Sequence, residues 1–326
     1  MHELLPLAIS FDFFNGADFW VGVGVLAGIY TVLTLGLQLN VGFTGIQNFG
    51  QIGFAAIGAY VMALLVSDAD WSFWLAIPVA IGFAVCVAVV LGVITLRLRA
   101  DFFAIATIAF SEIVRYIAQN ARGLTHGNQG VQDYVATWRS FSRDVRHDVL
   151  DGIGMGGVEF NQMPLLIVTW IAALLLLLLL RHLTKSPWGR VLRAIREDED
   201  AARAMGKNTL RFKLQSLGIA AAVGAFAGIL LALQTPNVAP DNYLPLYTFI
   251  GYAVLILGGL TSWWGVAVGA LIVQFVLEAT RLIDFGLTES QTSSMRFIIV
   301  GLVIILLVAF RPQGVFGKRE EMVLGD

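Results

Sequence analysis

Long apolar blocks separated by polar stretches organise this chain. Residues 20–39, 73–96, 163–180, 212–234 and 263–282 are each mainly apolar, and about 20 such residues in a helix cross a bilayer. The third block ends in a run of leucines from Leu174 to Leu180. Residues 295–310 also qualify, provided that the helix stands nearly upright. Three blocks are less regular: 52–66 follows the glycine-rich stretch 41–51, 101–119 carries a polar stripe, and 247–260 is short. Together they predict an all-α integral membrane protein of about nine crossings. We read it as one transmembrane domain over residues 1–326.

Composition argues against a soluble fold. Hydrophobic residues make up 57% of the chain and charged residues 13%, whereas a soluble domain carries about 25% charged residues to cover its wet surface. The placement of the charges then gives an orientation, because inner loops are rich in Lys and Arg. Of the 21 basic residues, nine lie within 181–213, with Arg97, Arg99, Arg311, Lys318 and Arg319 in two further inner stretches. Nine crossings put all of these on the cytoplasmic side, with the N-terminus outside and the C-terminus inside. The outer connections receive 13 acidic residues and only Arg122, Arg139, Arg143 and Arg146. The two long connections are an external loop, 120–162, and a cytoplasmic one, 181–211. The first 19 residues hold Glu3, Asp12 and Asp18 but no Lys or Arg, so they lack the basic start of a secretory signal and are expected to stay in the mature chain.

Little in the sequence points to chemistry. A net charge of −2 and the lack of a basic tail predict no nucleic-acid partner. Cys86 is the only cysteine, which excludes a disulfide framework and a Cys-based zinc site. His2, His126, His147 and His182 are scattered without metal-ligand spacing. The run from Gly152 to Gly157 has the glycine spacing of a dinucleotide loop, but that loop must join a strand to a helix, and this one lies between membrane spans. Gly206-Lys207-Asn208-Thr209 lacks the first glycine and the Ser or Thr of a phosphate loop. The chain is expected to bind no cofactor and to catalyse nothing, so any ATP dependence must come from a partner.

The cytoplasmic segment is more informative. Ser186-Pro187 reads as a helix start, a capping side chain followed by proline at the first helical position. Trp188, Val191, Leu192 and Ile195 then fall on one apolar stripe flanked by Arg190, Arg193 and Arg196, and Gly206 is the stop. A helix this polar lies beside the bilayer. Its stripe rests either on lipid headgroups or on a cytoplasmic protein, and the spacing alone favours neither.

A family resemblance separates the two. Asp200-Ala201-Ala202-Arg203-Ala204-Met205-Gly206 resembles the Glu-Ala-Ala-x-x-x-Gly loop through which permeases of ATP-binding-cassette (ABC) importers contact their ATPases. The surrounding Gly189-Arg-Val-Leu-Arg-Ala-Ile-Arg-Glu-Asp-Glu199 is similar to the M-type permeases of branched-chain amino acid importers. So are Gly42-Phe-Thr-Gly45 with Gly53-Phe-Ala-Ala-Ile-Gly-Ala-Tyr60, the stretch 96–105, Leu257-Gly-Gly-Leu-Thr-Ser262 and Phe310-Arg-Pro-Gln-Gly314. The resemblance implies that Trp188, Arg190, Leu192, Arg193, Ile195, Asp200, Ala201, Ala202 and Gly206 form the ATPase-coupling segment, its apolar stripe received in an ATPase groove. It implies two ABC ATPases, an H-type partner permease and an external substrate-binding protein, in a bacterial inner membrane. Two departures stand out. Asp200 replaces the family's Glu, and Asn48-Phe-Gly-Gln51 stands where members commonly have Ser-Leu-Gly-His. The second leaves the substrate open between branched-chain amino acids, other amino acids and small amides such as urea.

Polar groups within the spans are candidates for the pathway, because they are costly in lipid and turn toward partners or water. Gln47, Asn48 and Gln51 lie among Gly42, Gly45, Gly50 and Gly53, which weaken a continuous helix. They offer uncharged donors and acceptors to a passing zwitterion; the structural alternative is close helix packing on small residues. Thr107, Ser111, Arg115 and Gln119 share one face of the fourth span, with Glu112 beside them. Thr107 and Ser111 are pathway candidates, while Glu112 with Arg115 and Glu278 with Arg281 read as structural ion pairs. The mechanism implied by the resemblance is alternating access driven by the ATPases. An ion-coupled carrier, needing no ATPase, and a membrane-embedded enzyme, needing a catalytic cluster the sequence lacks, are the competing classes.

Overall fold

The computed structural model describes residues 17–145, 162–235, 237–279, 298 and 301–302. Outside them lie the N-terminal segment, the Gly152–Gly157 run, Arg281, nearly all of the expected span 295–310 and the C-terminal tail. The regular structure among the described residues is helical, apart from one isolated antiparallel bridge between Val131 and Val238.

The first helix, α1 (Ala17–Leu37), runs without a break into a π-helical turn, Gln38–Thr44, which ends at Gly45 with φ 75°. Only glycine enters that left-handed region freely. After an irregular stretch come α2 (Gln51–Ser67), α3 (Phe73–Thr95) and α4 (Ala100–Asn120). The long connection after α4 carries α5 (Arg122–Thr125) and α6 (Ala136–Val145), and α7 (Met163–Lys185) follows. Two short helices follow, α8 (Pro187–Glu197) and α9 (Glu199–Ala204), and then α10 (Thr209–Gln234), α11 (Leu246–Gly258) and α12 (Trp263–Ala279).

Eight of the nine expected spans coincide with described helices. Four of these are long and apolar enough to cross a membrane: Phe19–Thr44, Phe73–Thr95, Met163–Lys185 and Thr209–Gln234. Helices α2 and α12 are apolar but shorter, and α4 and α11 complete the bundle.

At the centre stands α10, packed on α1, α2 and α3. Small residues permit the approach. A side chain at Gly228 would collide with the Ala55 carbonyl, and one at Gly58 would lie 2.6 Å from the Ala225 Cα. Helices α11 and α12 meet in the same way at Gly258 and Gly265. Lipid tails are as apolar as leucine, so helices in a bilayer associate through such close backbone contact. By contrast, α3 and α7 turn Val90, Ile94, Leu175 and Leu178 outward.

The connections that follow α4 and α10 are tied together. Val131 and Val238 exchange backbone hydrogen bonds of 3.1 and 3.0 Å, and Asn237 Nδ2 donates to the Gln129 carbonyl at 2.7 Å. The buried Tyr134 hydroxyl sits 2.7 Å from the carbonyl oxygen of Ala232 and 2.9 Å from that of Thr235. Burial pushes this hydroxyl up to about 12, so it stays a neutral donor.

Candidate functional site

The inner-end segment folds differently from the expected single helix. Asp198 leaves helical geometry at φ −153° and ψ 107°, and its side chain accepts from the backbone N–H groups of Asp200 and Ala201, both at 2.9 Å. This cap restarts the chain as α9, so the segment is two helices rather than one. Ser186 does stand before Pro187, but its hydroxyl donates back to the Leu183 carbonyl at 2.7 Å instead of capping α8. Gly206 ends the segment at φ 77°.

The apolar stripe is covered in part by the protein itself. Leu192 and Ile195 are 0% and 4% exposed, packed on the π-helical turn, α7 and α10. Trp188 is half-buried and donates from Nε1 to Gln215 Oε1 at 2.9 Å. Leu192 and Ile195, which the resemblance assigned to an ATPase groove, are thus covered by this chain's own bundle, while Trp188 keeps part of its surface open. Ala202 is buried as well. Arg190, Arg193, Asp200 and Ala201 are exposed, as are Ala204 and Met205, the last at 68%. The surface open to another protein thus includes Arg190 and Arg193 on α8 and the far side of α9.

Between this segment and the bundle lies a set of charges that the stripe reading passed over. Arg196 Nη1 donates to the Gly42 carbonyl. Glu199 pairs with Lys213 on α10 and, at 3.0 Å, with Arg203. Burial alone would raise the Glu199 carboxyl, but the hydrogen bonds from Lys213 and Thr209 and the charges of Lys213 and Arg203 outweigh it and hold the group below the usual carboxylate range.

The second cluster lies deeper. Gln51 Nε2 donates to the Ala220 carbonyl at 2.9 Å, and Ala220 is eleven residues into α10. At a rise of 1.5 Å per residue this is about 16 Å from the helix start. Helix α2 therefore begins at membrane depth, and residues 45–50 return there as irregular backbone. Their polar groups are satisfied within the protein, as burial in a bilayer requires. Asn48 Nδ2 donates to Gln51 Oε1 at 3.0 Å, and Asn48 Oδ1 accepts from the Gly50 N–H at 3.0 Å. Thr107 Oγ1 accepts from the Phe49 N–H, Thr248 Oγ1 from the Ile52 N–H, and the Tyr252 hydroxyl donates to the Asn48 carbonyl, each at 3.1 Å.

Asn48, Gln51, Thr107 and Ser111 are thus brought together and fully buried. Thr107 and Ser111 also donate to carbonyls of their own helix at 2.8 Å. Gly50 and Gly53 press on this face of α4, where a side chain at Gly53 would lie 3.0 Å from the Ser111 Cα. The amides at Asn48 and Gln51 accordingly shape the broken segment from inside. Gln47 alone of the five pathway candidates is exposed, on the wall of a cavity of about 230 Å³ near Arg99 and Arg196. Three aromatic residues that the sequence reading missed flank the cluster. Phe49 stacks on Tyr252 with centroids 4.4 Å apart and lies 5.3 Å from Phe249, which is 45% exposed. Phe249 and Tyr252 are three apart on α11, a spacing that a search for polar groups ignores.

Glu112 and Arg115 form the ion pair expected of them, at 2.9 Å, and Arg115 also lies 3.9 Å from Asp241. Among the described residues no group of three or more His, Cys, Asp and Glu converges as a metal site would require.

Comparison with known proteins places this architecture. Residues 20–308 match the family model described as branched-chain amino acid transport system / permease component. The chain is 33% identical, over 319 residues, to the high-affinity branched-chain amino acid transport system permease protein LivM of Escherichia coli K12, covering 95% of this chain and 73% of that one. It is 24% identical to the probable branched-chain amino acid transport permease protein LivM of Methanocaldococcus jannaschii, over 90% of this chain and 91% of that one. It is also 27% identical to the E. coli K12 permease protein LivH, over 90% of this chain and 93% of that one. No solved structure matches. This chain belongs to the branched-chain amino acid transport system permease family.

Proposed function

We propose that this chain is the M-type permease subunit of an ATP-driven importer of branched-chain amino acids. The observation that carries the reading is the 33% identity to a LivM permease across 95% of the chain. It forms half of a membrane pathway and hydrolyses nothing; the hydrolysis belongs to two ATPase subunits on the cytoplasmic side. An H-type permease completes the pathway, in keeping with the similarity to LivH, and an external binding protein delivers the amino acid. The basic residues clustered in 181–213 support a cytoplasmic position for α8 and α9, with the N-terminus outside.

Within this reading, the ATPase docks on the exposed side of α9, at Asp200, Ala201, Ala204 and Met205. Helix α8 is the rigid base that joins α9 to the bundle. The pathway runs past the aromatic group of Phe49, Phe249 and Tyr252, an apolar surface suited to a branched aliphatic side chain. The buried amides behind it hold the broken segment in shape. Alternating access moves this wall relative to the partner permease.

Co-expression with the partner permease, the ATPases and the binding protein, followed by reconstitution into liposomes, tests the proposal. The expected result is a stable complex that takes up leucine only with ATP and binding protein. Met205→Glu is expected to release the ATPases from that complex. Recovery of the chain alone, moving leucine on an ion gradient, would overturn the reading; uptake of urea but not leucine would overturn the substrate.

A further inference from the structure

The cavity of about 230 Å³ beside α8 brings together segments far apart in sequence: Thr44, Gly45 and Gln47 from the broken segment face Ile195, Arg196 and Glu199 from α8 and α9, with the α3–α4 connection and Lys213 completing the wall. We infer that Arg196 is the positioning residue that passes movement of the α8–α9 segment into the backbone of Gly42–Gly50. The inference rests on the importer reading, in which α9 is what the ATPase moves.

Three contacts carry it. The Gly42 carbonyl is near the end of the π-helical turn, where the last carbonyls of a helix have no partner of their own. Arg196 supplies one, spanning 154 residues of sequence, and a cation is also favoured at a helix C-terminus. The Arg196 stem lies against Gly45: a Cβ there would be 3.3 Å from its Cγ and 3.4 Å from its Cα. Gly45 is left-handed at φ 75°, so this fit depends on glycine twice over. Third, Glu199 is paired to Lys213, so the start of α9 is also tied to the first turns of α10.

A displaced Arg196 bears first on the backbone it touches, at Gly42 and Gly45. On its far side Gly42 is walled by the Leu260 carbonyl, which a side chain at that position would strike. Residues 45–50 are free of helix, and three residues beyond Gly45 comes Asn48, whose amide and carbonyl hold Gln51, Gly50 and Tyr252. A pull on α9 therefore reaches the Asn48 cluster and the stacked Phe49 through a planar guanidinium whose donors have fixed directions, which a lysine ammonium lacks. A cytoplasmic push is converted into a rearrangement at membrane depth with few intervening parts.

Leucine moved per ATP hydrolysed, in the reconstituted importer, is the measurement. Arg196→Ala is expected to leave assembly and hydrolysis in place and to lower that ratio about five-fold or more, the scale of an ordinary coupling between sites. Arg196→Lys keeps one donor toward Gly42 and is expected to recover part of the ratio. Gly45→Ala leaves the guanidinium intact but displaces its stem, and should lower the ratio even where Arg196→Ala does not assemble. An unchanged ratio in Arg196→Ala, or in Gly45→Ala should the first variant not assemble, overturns the inference. A parallel fall of hydrolysis and uptake also overturns it, because that marks a residue needed only for folding. A wild-type complex with no ATP-driven leucine uptake at all would instead remove the importer reading, and the inference with it.

Discussion

Helices α7 and α10 are both long and apolar, yet the fold uses them in opposite ways. Of the most apolar stretch in each, 33% is buried in α7 and 72% in α10, although α7 is the more apolar of the two. In water that order would be a contradiction. In a bilayer it is expected, because lipid accepts leucine as readily as a protein interior does and burial brings no hydrophobic gain. Residue size decides instead: α10 reads Gly218, Ala220, Ala221, Gly224, Ala225, Ala227 and Gly228 on its packed faces, whereas α7 carries the leucine run. Helices that must touch are small, and those that face lipid are large.

That contrast can be attacked directly, starting with its strongest consequence. Gly228→Leu would drive a side chain into the Ala55 backbone, which cannot step aside as a flexible side chain can. Overpacking costs about 1–3 kcal/mol and occasionally more, and here the folded peak in size-exclusion chromatography of solubilised membranes is expected to vanish. A monodisperse Gly228→Leu protein would show that the α2–α10 crossing is not the organising contact. Next in size is Gln51→Leu, which leaves the buried Asn48 amide without its acceptor. A buried donor stripped of its partner costs about 1–3 kcal/mol, read as a lower midpoint of thermal unfolding in detergent.

A smaller effect is expected at the inner end of α10. The Glu199 carboxyl is held below its ordinary value. The stability it contributes is complete above the unfolded carboxylate value and is lost as pH falls through the lower folded one. The unfolding midpoint should therefore drop on acidification below about pH 4.5, the ordinary value of a free glutamate, and part of that drop should be missing in Glu199→Gln. Identical pH profiles for the two proteins would mean that the Lys213 pair contributes nothing. The smallest change belongs to α7: Leu178→Ala, on the lipid-facing side, should shift stability by no more than about 0.5 kcal/mol. A loss comparable to that of Gly228→Leu would erase the distinction between the helices.

Much of the architecture could be read from the chain because apolar length is a direct demand of the bilayer. The expected spans and the described helices agree within a few residues, and the glycines of 42–53 announced a broken segment. The orientation of α8 was not readable. A stripe of Trp188, Leu192 and Ile195 states that something covers it, and only three-dimensional proximity shows that the chain's own π-helical turn does. The break at Asp198 was missed for a related reason: Asp suits a helix surface and a cap alike, and its local bonds decide which. Arg196 was visible only as one arginine flanking the stripe, since its acceptor is a backbone carbonyl with no sequence signature. Phe49 was hidden by the amides around it, which drew attention to polarity where the exposed element is an aromatic stack.

The hydroxyl of Tyr134 fastens the C-terminal tip of α10 to the loop beyond α5. Carbonyls at the close of a helix have no partner along their own rod, and here one phenol from a neighbouring loop answers two oxygens at once. Unfastening that loop would strand both oxygens and the hydroxyl together, so the tip and the loop are expected to come apart only as a unit.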